Sequence, residues 1–152
     1  MKIDLGCDFM VKLLICEDEA IERKALRFLI GKFYKDKIEI VGEASNGEEV
    51  VEKAFTLQPD IILMDIQMPK TNGIDASKEI KKHLKEVNII ILTAYSQFEY
   101  AKEGIKIGVK DYLLKPVSNS ELQECIDNIL QVIAKRREKR EKELGIKNKI
   151  EK

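Results

Sequence analysis

The sequence predicts an α/β fold in which five parallel strands form a doubly wound sheet and a helix follows each strand. Five short runs rich in Ile, Val and Leu alternate with segments whose apolar residues recur at helical spacing. Four of the runs also end in, or are followed by, a charged or hydroxyl side chain that could bind a ligand, as expected at the carboxyl edge of a parallel sheet. The predicted strands are Val11–Cys16, Ile38–Glu43, Ile61–Asp65, Asn88–Thr93 and Val109–Leu114.

The strands differ in their expected depth in the sheet. Ile61–Asp65 is hydrophobic without interruption up to its final carboxylate, which predicts a central strand. Ile38–Glu43 has the weaker alternating pattern of a strand near the edge. The run from Ile89 to Leu92 is interpreted as sheet interior rather than as the wall of a ligand pocket.

Apolar periodicity defines the helices that follow these strands. The first helix is indicated by a helical repeat of Ile21, Ala25, Phe28 and Leu29. The predicted inner faces of the third and last helices consist of Ile74, Ile80 and Leu84, and of Leu122, Cys125, Ile126, Ile129 and Ile133. The first four helices are predicted over about Ala20–Phe33, 47–57, Gly73–Lys85 and Gln97–Gly108.

Local signals mark the ends and the weak points of helices. Asn46 with Glu49, and Ser118 with Glu121, have the spacing of a capping box, so helices are expected to begin there. Gly104 lies inside the fourth helix, where glycine costs about 1 kcal/mol relative to alanine. That helix is therefore expected to be soft.

Length and charge bound the domain organisation. The 152 residues fit one globular domain with some excess, and 27 basic residues balance 27 acidic ones. Residues 135–152 hold nine basic and four acidic side chains, which leaves an acidic body with 18 basic and 23 acidic residues. We predict an N-terminal extension over 1–10, a folded domain over 11–134 and a charged helical tail or linker over 135–152.

Several functional classes find no support in the sequence. Apolar stretches are too short to span a bilayer, and Asp4 and Asp8 interrupt the segment where a signal peptide would need an apolar core. Glycine-rich phosphate loops are absent from the sequence, so nucleotide binding is not indicated. Cys7, Cys16 and Cys125 are widely spaced, which is typical of reduced thiols, and a cytoplasmic protein without membrane contact is expected.

Three carboxylates are expected to converge at the carboxyl edge of the sheet. Glu17 and Asp18 follow the first strand, and Asp65 ends the third. Like charges at this separation repel one another unless a cation neutralises them, and carboxylate oxygens suit Mg²⁺ or Mn²⁺. The plainer alternative is that Glu17 and Asp18 only cap the first helix. The matching position of Asp65 favours the metal site.

Four motifs in order, LLICEDE, ILMDIQMP-x-x-NG, ILTAYS and GVKDYLLKP, resemble the receiver domain of bacterial two-component response regulators. The resemblance covers about residues 11–134. It implies a CheY-like, flavodoxin-like fold with strand order 2-1-3-4-5. It also implies signalling by phosphorylation rather than turnover of a substrate.

The resemblance assigns roles to the acidic residues. Asp65 is expected to accept the phosphoryl group, and Asp18 and Asp65 to bind Mg²⁺ directly together with the main-chain carbonyl of Gln67. Glu17 is expected to act on the metal through water. Gln67 and Tyr95 occupy positions that tune the lifetime of the phosphate in this family.

The remaining site residues follow the fourth and fifth strands. By resemblance, Lys115 is the essential ammonium, Thr93 the switch hydroxyl and Tyr112 the switch aromatic, with a cis peptide between Lys115 and Pro116. Taken singly, each of these residues has a plainer interpretation: Lys115 as a surface charge, Thr93 as a strand-end residue and Tyr112 as a half-buried strand aromatic. His83, the only histidine, is interpreted as a surface residue without a role.

The expected function is a phosphorylation switch that receives its phosphate from a sensor histidine kinase and dimerises through helix four, strand five and helix five. The stretch from 95 to 117 most resembles receivers that precede AraC-type output domains. DNA binding is expected only through such an output domain, which this chain does not contain. A stand-alone receiver that binds a partner protein is an alternative. A Mg²⁺-dependent phosphohydrolase is a weaker one, since that class uses a second aspartate where Gln67 stands.

The tail allows two interpretations of equal weight. It is either a signalling helix that continues the last helix of the domain or a solvated extension. Its charge of +5 permits at most non-specific contact with DNA.

Overall fold

A computed structural model describes residues 10–68, 70–94 and 98–151, and the chain divides into two units, residues 1–117 and 118–152. The first unit contains five strands and four helices, and the second is a single helix. The strands are β1 Val11–Cys16, β2 Ile38–Ala44, β3 Ile61–Asp65, β4 Asn88–Thr93 and β5 Asp111–Leu114. The helices are α1 Ala20–Tyr34, α2 Gly47–Leu57, α3 Gly73–His83, α4 Phe98–Lys106 and α5 Asn119–Glu151.

All five strands run parallel in the order β2-β1-β3-β4-β5, which confirms the predicted flavodoxin-like sheet. β3 lies at the centre and β2 at an edge, as their hydrophobic patterns predicted. The order reverses between β1 and β3, which is the place where open α/β sheets bind ligands. The register sets Cys16 beside Met64, so both strands end at the same edge.

The core on one face of the sheet is built from alternate strand residues. Leu14, Ile62 and Ile89 point into a buried cluster that also includes residues of α2 and α3. Within α3, Ile74 and Ile80 are fully buried, as predicted. The alternation places every other strand residue on the opposite face, and in β1, β3 and β4 those residues are buried too. Burial of both faces explains why β3 and β4 lack polar alternation.

The apolar repeat of α1 identifies a helix but not its buried face. Ile21 is 82% exposed and Phe28 is 71% exposed, whereas the buried residues of α1 are Ile30 and Tyr34. The predicted helix is confirmed, but the repeat that indicated it does not mark the buried face. A stripe at helical spacing is produced equally by core packing and by an exposed apolar face, and periodicity does not separate the two.

The turn between α4 and β5 shifts the predicted start of β5 by two residues. Gly108 has φ +98°, a left-handed conformation that glycine adopts without strain. The amide of Val109 then bonds back to the carbonyl of Gly104, so Val109 and Lys110 complete the turn instead of extending the strand. The predicted first residue of α4, Gln97, lies outside the described residues.

Asparagine caps open two of the helices. The amide of Glu49 donates to Asn46 Oδ1 at 2.8 Å, as predicted, but the Glu49 carboxylate accepts from the amide of Ser45 rather than from that of Asn46. Asn72 caps α3 in the same way through the amide of Asp75, at 2.9 Å. This second cap was not predicted. Both asparagines are followed by a glycine at the first helical position.

The second unit is α5. The amide of Glu121 donates to Ser118 Oγ, and the amide of Ser118 donates to the Glu121 carboxylate, which confirms the predicted capping box. Each of the five residues predicted for its inner face is buried. The helix continues through the charged segment to Glu151 and includes the predicted pair of Glu138 and Lys142, 3.8 Å apart.

Further expectations concern two cysteines, the histidine and membrane-spanning helices. Cys16 and Cys125 are buried and belong to no disulfide, as predicted for core fillers. The side chain of His83 is exposed and lies edge-on to the ring of Phe55, with ring centres 5.4 Å apart. In the described part of the chain, no helix is both long and apolar enough to cross a membrane.

Candidate functional site

Three carboxylates meet where β1 and β3 end. Glu17 follows the last residue of β1 and is 1% exposed, and Asp65 is the last residue of β3 and is 4% exposed. Asp18 is exposed at the rim. One carboxylate oxygen of each lies within 4.8 Å of the others, so the predicted convergence is confirmed. The site is open to solvent on the Asp18 side and closed by buried groups on the other.

Lys115, directly after β5, reaches across the sheet edge into this cluster. Its Nζ lies 3.0 Å from Glu17 Oε1, 3.1 Å from Asp65 Oδ1 and 3.5 Å from Glu22 Oε1. The main chain fixes its origin, because the Lys115 amide donates to the carbonyl of Thr93 at 2.7 Å. The peptide between Lys115 and Pro116 is cis, as predicted.

Burial and charge shift the protonation of these groups in opposite directions. Burial raises the pKa of Glu17 to about 7, although the hydrogen bond from Lys115 opposes the rise. Burial likewise raises the pKa of Asp65, against the nearby positive charge of Lys115. Burial lowers the pKa of Lys115, but the hydrogen bond to Glu17 and the charge of Asp65 outweigh it, so the net pKa is raised. Lys115 is therefore an ammonium at any physiological pH.

The donor set suits a divalent cation. Glu17, Asp65 and Glu22 lie within 3.5 Å of the Lys115 ammonium. Oxygens of Glu17, Asp18 and Asp65 form one acidic group, and those of Glu17, Glu19 and Glu22 form a second. Oxygen donors with an open, solvated side are the preference of Mg²⁺ and Mn²⁺, which retain several waters when bound. Glu17, Asp18 and Asp65 therefore fit the cation that the sequence predicted.

The side chains that follow β4 and form part of β5 extend the site. Thr93 is fully buried, and its hydroxyl donates to the carbonyl of Ala94 at 3.0 Å. Tyr112 is partly buried, packs against the core cluster and pairs in register with Ile91 of β4. Thr93 and Lys115 thus share one end of adjoining strands, while the ring of Tyr112 lies on the strand that leads to Lys115.

Two further positions, Gln67 and Tyr95, are predicted to tune the phosphate lifetime. Gln67 is exposed in the loop after β3. The role of its main-chain carbonyl as a metal ligand stays a prediction. Tyr95 lies outside the described residues.

A close main-chain contact that was not predicted holds Asp65 in place. A Cβ atom on Gly73 would lie 2.2 Å from the carbonyl oxygen of Asp65, and the Gly73 amide donates to the carbonyl of Ile66 at 2.8 Å. The N-terminus of α3 therefore packs directly on the end of β3. The NG pair in the second motif was the available signal, since glycine permits such an approach.

Two residues of helix α1 make further contacts that sequence reasoning missed. Arg23 Nη1 donates to the main-chain carbonyl of Glu17 at 2.8 Å, and its Nε pairs with Glu43 of β2. Glu22 pairs with Lys115. Both residues look like ordinary charges on a helix surface in the sequence. Their partners follow other strands, and spacing alone gives no signal for them.

Comparison with known proteins decides the family. The response regulator receiver domain family matches residues 13–127. This chain belongs to that family. The receiver domain accounts for the sheet order, for the strand-end carboxylates and for the placement of Lys115 beside them.

Relatives of this receiver domain have different architectures. The transcriptional regulatory protein YdfI of Bacillus subtilis is 44% identical over 119 residues, which cover 78% of this chain and 54% of YdfI. The chemotaxis protein CheY of Thermotoga maritima is 42% identical over 118 residues, which cover 78% of this chain and 96% of CheY. The chain thus spans about half the length of one relative and nearly all of the other.

A solved structure agrees with this assignment. The receiver domain of AraT, a response regulator from Geobacillus stearothermophilus, superposes with a TM-score of 0.78 at 34% identity. The match covers 84% of this chain and 98% of that one. The chain is therefore the receiver domain of a two-component response regulator, a family of signalling switches.

Proposed function

We propose that Asp65 accepts a phosphoryl group and that its phosphorylation switches this receiver domain between two conformations. The observation that carries the proposal is the position of Lys115, whose ammonium lies 3.1 Å from one Asp65 oxygen and 3.0 Å from Glu17. A carboxylate nucleophile and a phosphoryl donor repel each other, and a fixed positive charge between them lowers that repulsion in the transition state.

In the proposed step, an Asp65 carboxylate oxygen attacks the phosphorus atom of the donor. The bond from phosphorus to the donor's leaving atom breaks, the leaving group keeps the electron pair, and an acyl phosphate forms on Asp65. The raised pKa of Lys115 keeps its ammonium charged throughout. Glu17 holds that ammonium from the buried side, so the lysine is oriented before the donor arrives.

The acidic residues would hold a divalent cation. Glu17, Asp18 and Asp65 provide the oxygen donors, and we include the Gln67 carbonyl on the family resemblance. When bound, Mg²⁺ or Mn²⁺ supplies neutralisation of the phosphoryl oxygens during transfer. The exposed position of Asp18 leaves this side of the site open to the donor.

We propose that Thr93 and Tyr112 convert phosphorylation into a change of surface. The hydroxyl of Thr93, which donates to the carbonyl of Ala94, would turn to the new phosphoryl oxygens. Tyr112 would then rotate toward the space that Thr93 leaves, and α4 would shift with it. Gly104 lies inside α4, where glycine costs about 1 kcal/mol relative to alanine, and this low helix propensity supports α4 as the element that moves.

The experiment is phosphorylation by acetyl phosphate with Mg²⁺, followed by intact mass, for the wild type and Asp65→Asn. We expect one phosphoryl group on the wild type, none on the variant, and none after chelation of the metal. Thr93→Ala should still be phosphorylated but should lose the spectral change at Tyr112. Absence of phosphorylation of the wild type would overturn the proposal.

We propose a sensor histidine kinase as the physiological donor. The exposed Ile21 and Phe28 support a protein partner on α1, whose first turn also provides Glu22 to the site. Replacing Phe28 by Glu should slow transfer from a phosphorylated histidine kinase while the rate with acetyl phosphate is unchanged. Equal slowing with both donors would contradict docking on α1.

We propose that the phosphorylated chain dimerises through α4, β5 and α5. Exposed apolar side chains at Ile105 on α4 and at Leu114 on β5 support this face. Size measurement with beryllofluoride and Mg²⁺ tests it, because a monomer under these conditions contradicts dimerisation. That outcome would favour the second candidate, a stand-alone receiver that binds a partner protein. The match to CheY supports this alternative, because it covers 96% of that relative.

In the longer regulator that we propose, a cytoplasmic transcription factor with an AraC-type output domain, α5 would carry the signal and DNA would be bound by the output domain. The partial coverage of YdfI supports such an output region. We propose no activity other than phosphorylation and dephosphorylation of Asp65. Sustained release of phosphate from a small phosphorylated metabolite would instead support the phosphohydrolase alternative.

A further inference from the structure

Glu22 makes a third ion pair to Lys115 that differs from the other two. Its Oε1 lies 3.5 Å from Lys115 Nζ, and its side chain is 40% exposed. Glu17 and Asp65, by contrast, approach the ammonium from the protein interior, with hydrogen bonds of 3.0 and 3.1 Å. Glu22 therefore reaches Lys115 from the solvent side, along the side on which a donor must enter.

The first turn of α1 fixes this position. Glu22 is the acidic residue in that turn, where the positive end of the helix dipole favours a carboxylate. Arg23, the next residue, ties the same turn to the carbonyl of Glu17. The backbone that carries Glu22 is thus anchored to the site, while its side chain is 40% exposed to water.

The Glu22 carboxylate and an incoming phosphoryl group compete for the same Lys115 ammonium. A phosphoryl group that arrives at Asp65 brings negative oxygens that need the Lys115 ammonium. The Glu22 carboxylate binds the same ammonium and repels the incoming anion. The Glu17 carboxylate is 1% exposed, so water does not readily replace Lys115 as its partner, whereas the Glu22 carboxylate is 40% exposed and water can replace Lys115 there. Acceptance of the phosphoryl group therefore involves displacement of Glu22 from Lys115.

We propose that Glu22 is a positioning residue that holds the Lys115 ammonium on the α1 side of Asp65 and competes with the incoming phosphoryl anion for it. The inference rests on the proposed role of Asp65 as acceptor. Glu22 does not touch the reacting atoms and acts only through Lys115. Its effect is to raise the donor concentration that the receiver domain needs.

The test compares Glu22→Gln, Glu22→Asp and Glu48→Gln with the wild type. Glu48→Gln is the matched control, because it removes the same charge from an exposed residue in the first turn of α2, and none of the described ion pairs includes Glu48. Glu22→Asp keeps the charge but shortens the reach by one methylene. Each variant is titrated with acetyl phosphate at a Mg²⁺ concentration that saturates it, and binding of beryllofluoride is measured by NMR without turnover.

Loss of an exposed ion pair changes an equilibrium by about two- to fivefold. We expect Glu22→Gln to lower the half-saturating acetyl phosphate concentration and the beryllofluoride dissociation constant by about this factor, with the maximal rate little changed. Glu22→Asp should move both values in the same direction, and Glu48→Gln should leave both near those of the wild type.

Equal effects of Glu22→Gln and Glu48→Gln would mean that only the total charge matters and would overturn the inference. So would a wild-type response of both Glu22 variants. If the wild type itself is not phosphorylated on Asp65, the proposed function fails and the inference fails with it. Normal phosphorylation with equal variants overturns the inference alone.

Discussion

Gly73 at the start of α3 packs against the main-chain carbonyl of Asp65 at the end of β3, with no space for a side chain between them. A Cβ on Gly73 would lie 2.2 Å from that oxygen and 2.9 Å from Cα of Ile66. Because both neighbours are backbone atoms, they have no rotamer by which to move away. The position of Asp65 therefore depends on a glycine eight residues later in the chain.

Replacing Gly73 by Ala should force β3 and α3 apart. We expect a loss of about 1–3 kcal/mol in the free energy of unfolding, the range of overpacked sites, together with slower phosphorylation of Asp65. Gly31→Ala is the matched control, since nothing lies within 4 Å of its added Cβ in α1. That variant should gain about 0.5–1 kcal/mol from helix propensity. Urea unfolding measures both, and equal responses would contradict the steric account.

The strand-end residues of the site were predictable, but the contacts between them were only partly so. Parallel strands end at one edge, so Glu17, Asp18 and Asp65 were expected to converge once the strands were recognised. Lys115 was assigned to the same site by the family resemblance. Glu22 was not predictable in this role. In the sequence it is simply an acid in the first turn of a helix, and its pairing with Lys115 depends on how α1 and β5 are placed by the fold.

The buried face of α1 shows a second limit of the sequence. Ile21 and Phe28 form a regular apolar stripe, yet Ile30 and Tyr34 are the residues that become buried. Both sets are apolar, and the helix presents them in different directions. Periodicity establishes that a helix forms, whereas the choice of face depends on contacts with the sheet that are distant in sequence.

Ser77 is fully buried in α3, and within the described part of the chain its hydroxyl has no hydrogen-bond partner. A buried hydroxyl without a partner loses its hydration and gains nothing in return. Ser77→Ala should therefore leave the free energy of unfolding unchanged or raise it by about 1 kcal/mol. The same substitution at Ser118, which caps α5, should lower it by about 1 kcal/mol. Thermal unfolding compares the two, and a loss at Ser77 as large as that at Ser118 would contradict the prediction.

Glu43 contributes stability that depends on pH. The hydrogen bond from Arg27, with a further one from Arg23, lowers the pKa of Glu43 below its usual 4.5. A lowered pKa means that the contribution is present above 4.5 and is lost as the pH falls through the folded value. Glu43→Gln should cost about 0.2–1 kcal/mol at pH 7 and progressively less in acid. Glu39→Gln removes a carboxylate that forms no ion pair among the described residues, so its effect on unfolding should be small. A cost at Glu43 that persists in acid would contradict the assignment.

Glu17 should make the receiver domain less stable as the pH rises when divalent cations are chelated. Burial raises the pKa of Glu17 from 4.5 to about 7, so the protonated form is favoured in the folded state. The resulting stability is fully present below pH 4.5 and is lost as the pH rises through about 7. We expect a loss of about 1–3 kcal/mol between these limits, because each pKa unit corresponds to about 1.4 kcal/mol. Asp65, whose pKa is also raised by burial, acts in the same direction.

Glu17→Gln should flatten this dependence, and Mg²⁺ should stabilise the wild type above pH 7 more than it stabilises the variant. Urea unfolding from pH 5 to 8 measures these changes, and a wild type that becomes more stable over this range would show that Lys115 fully offsets the burial of Glu17.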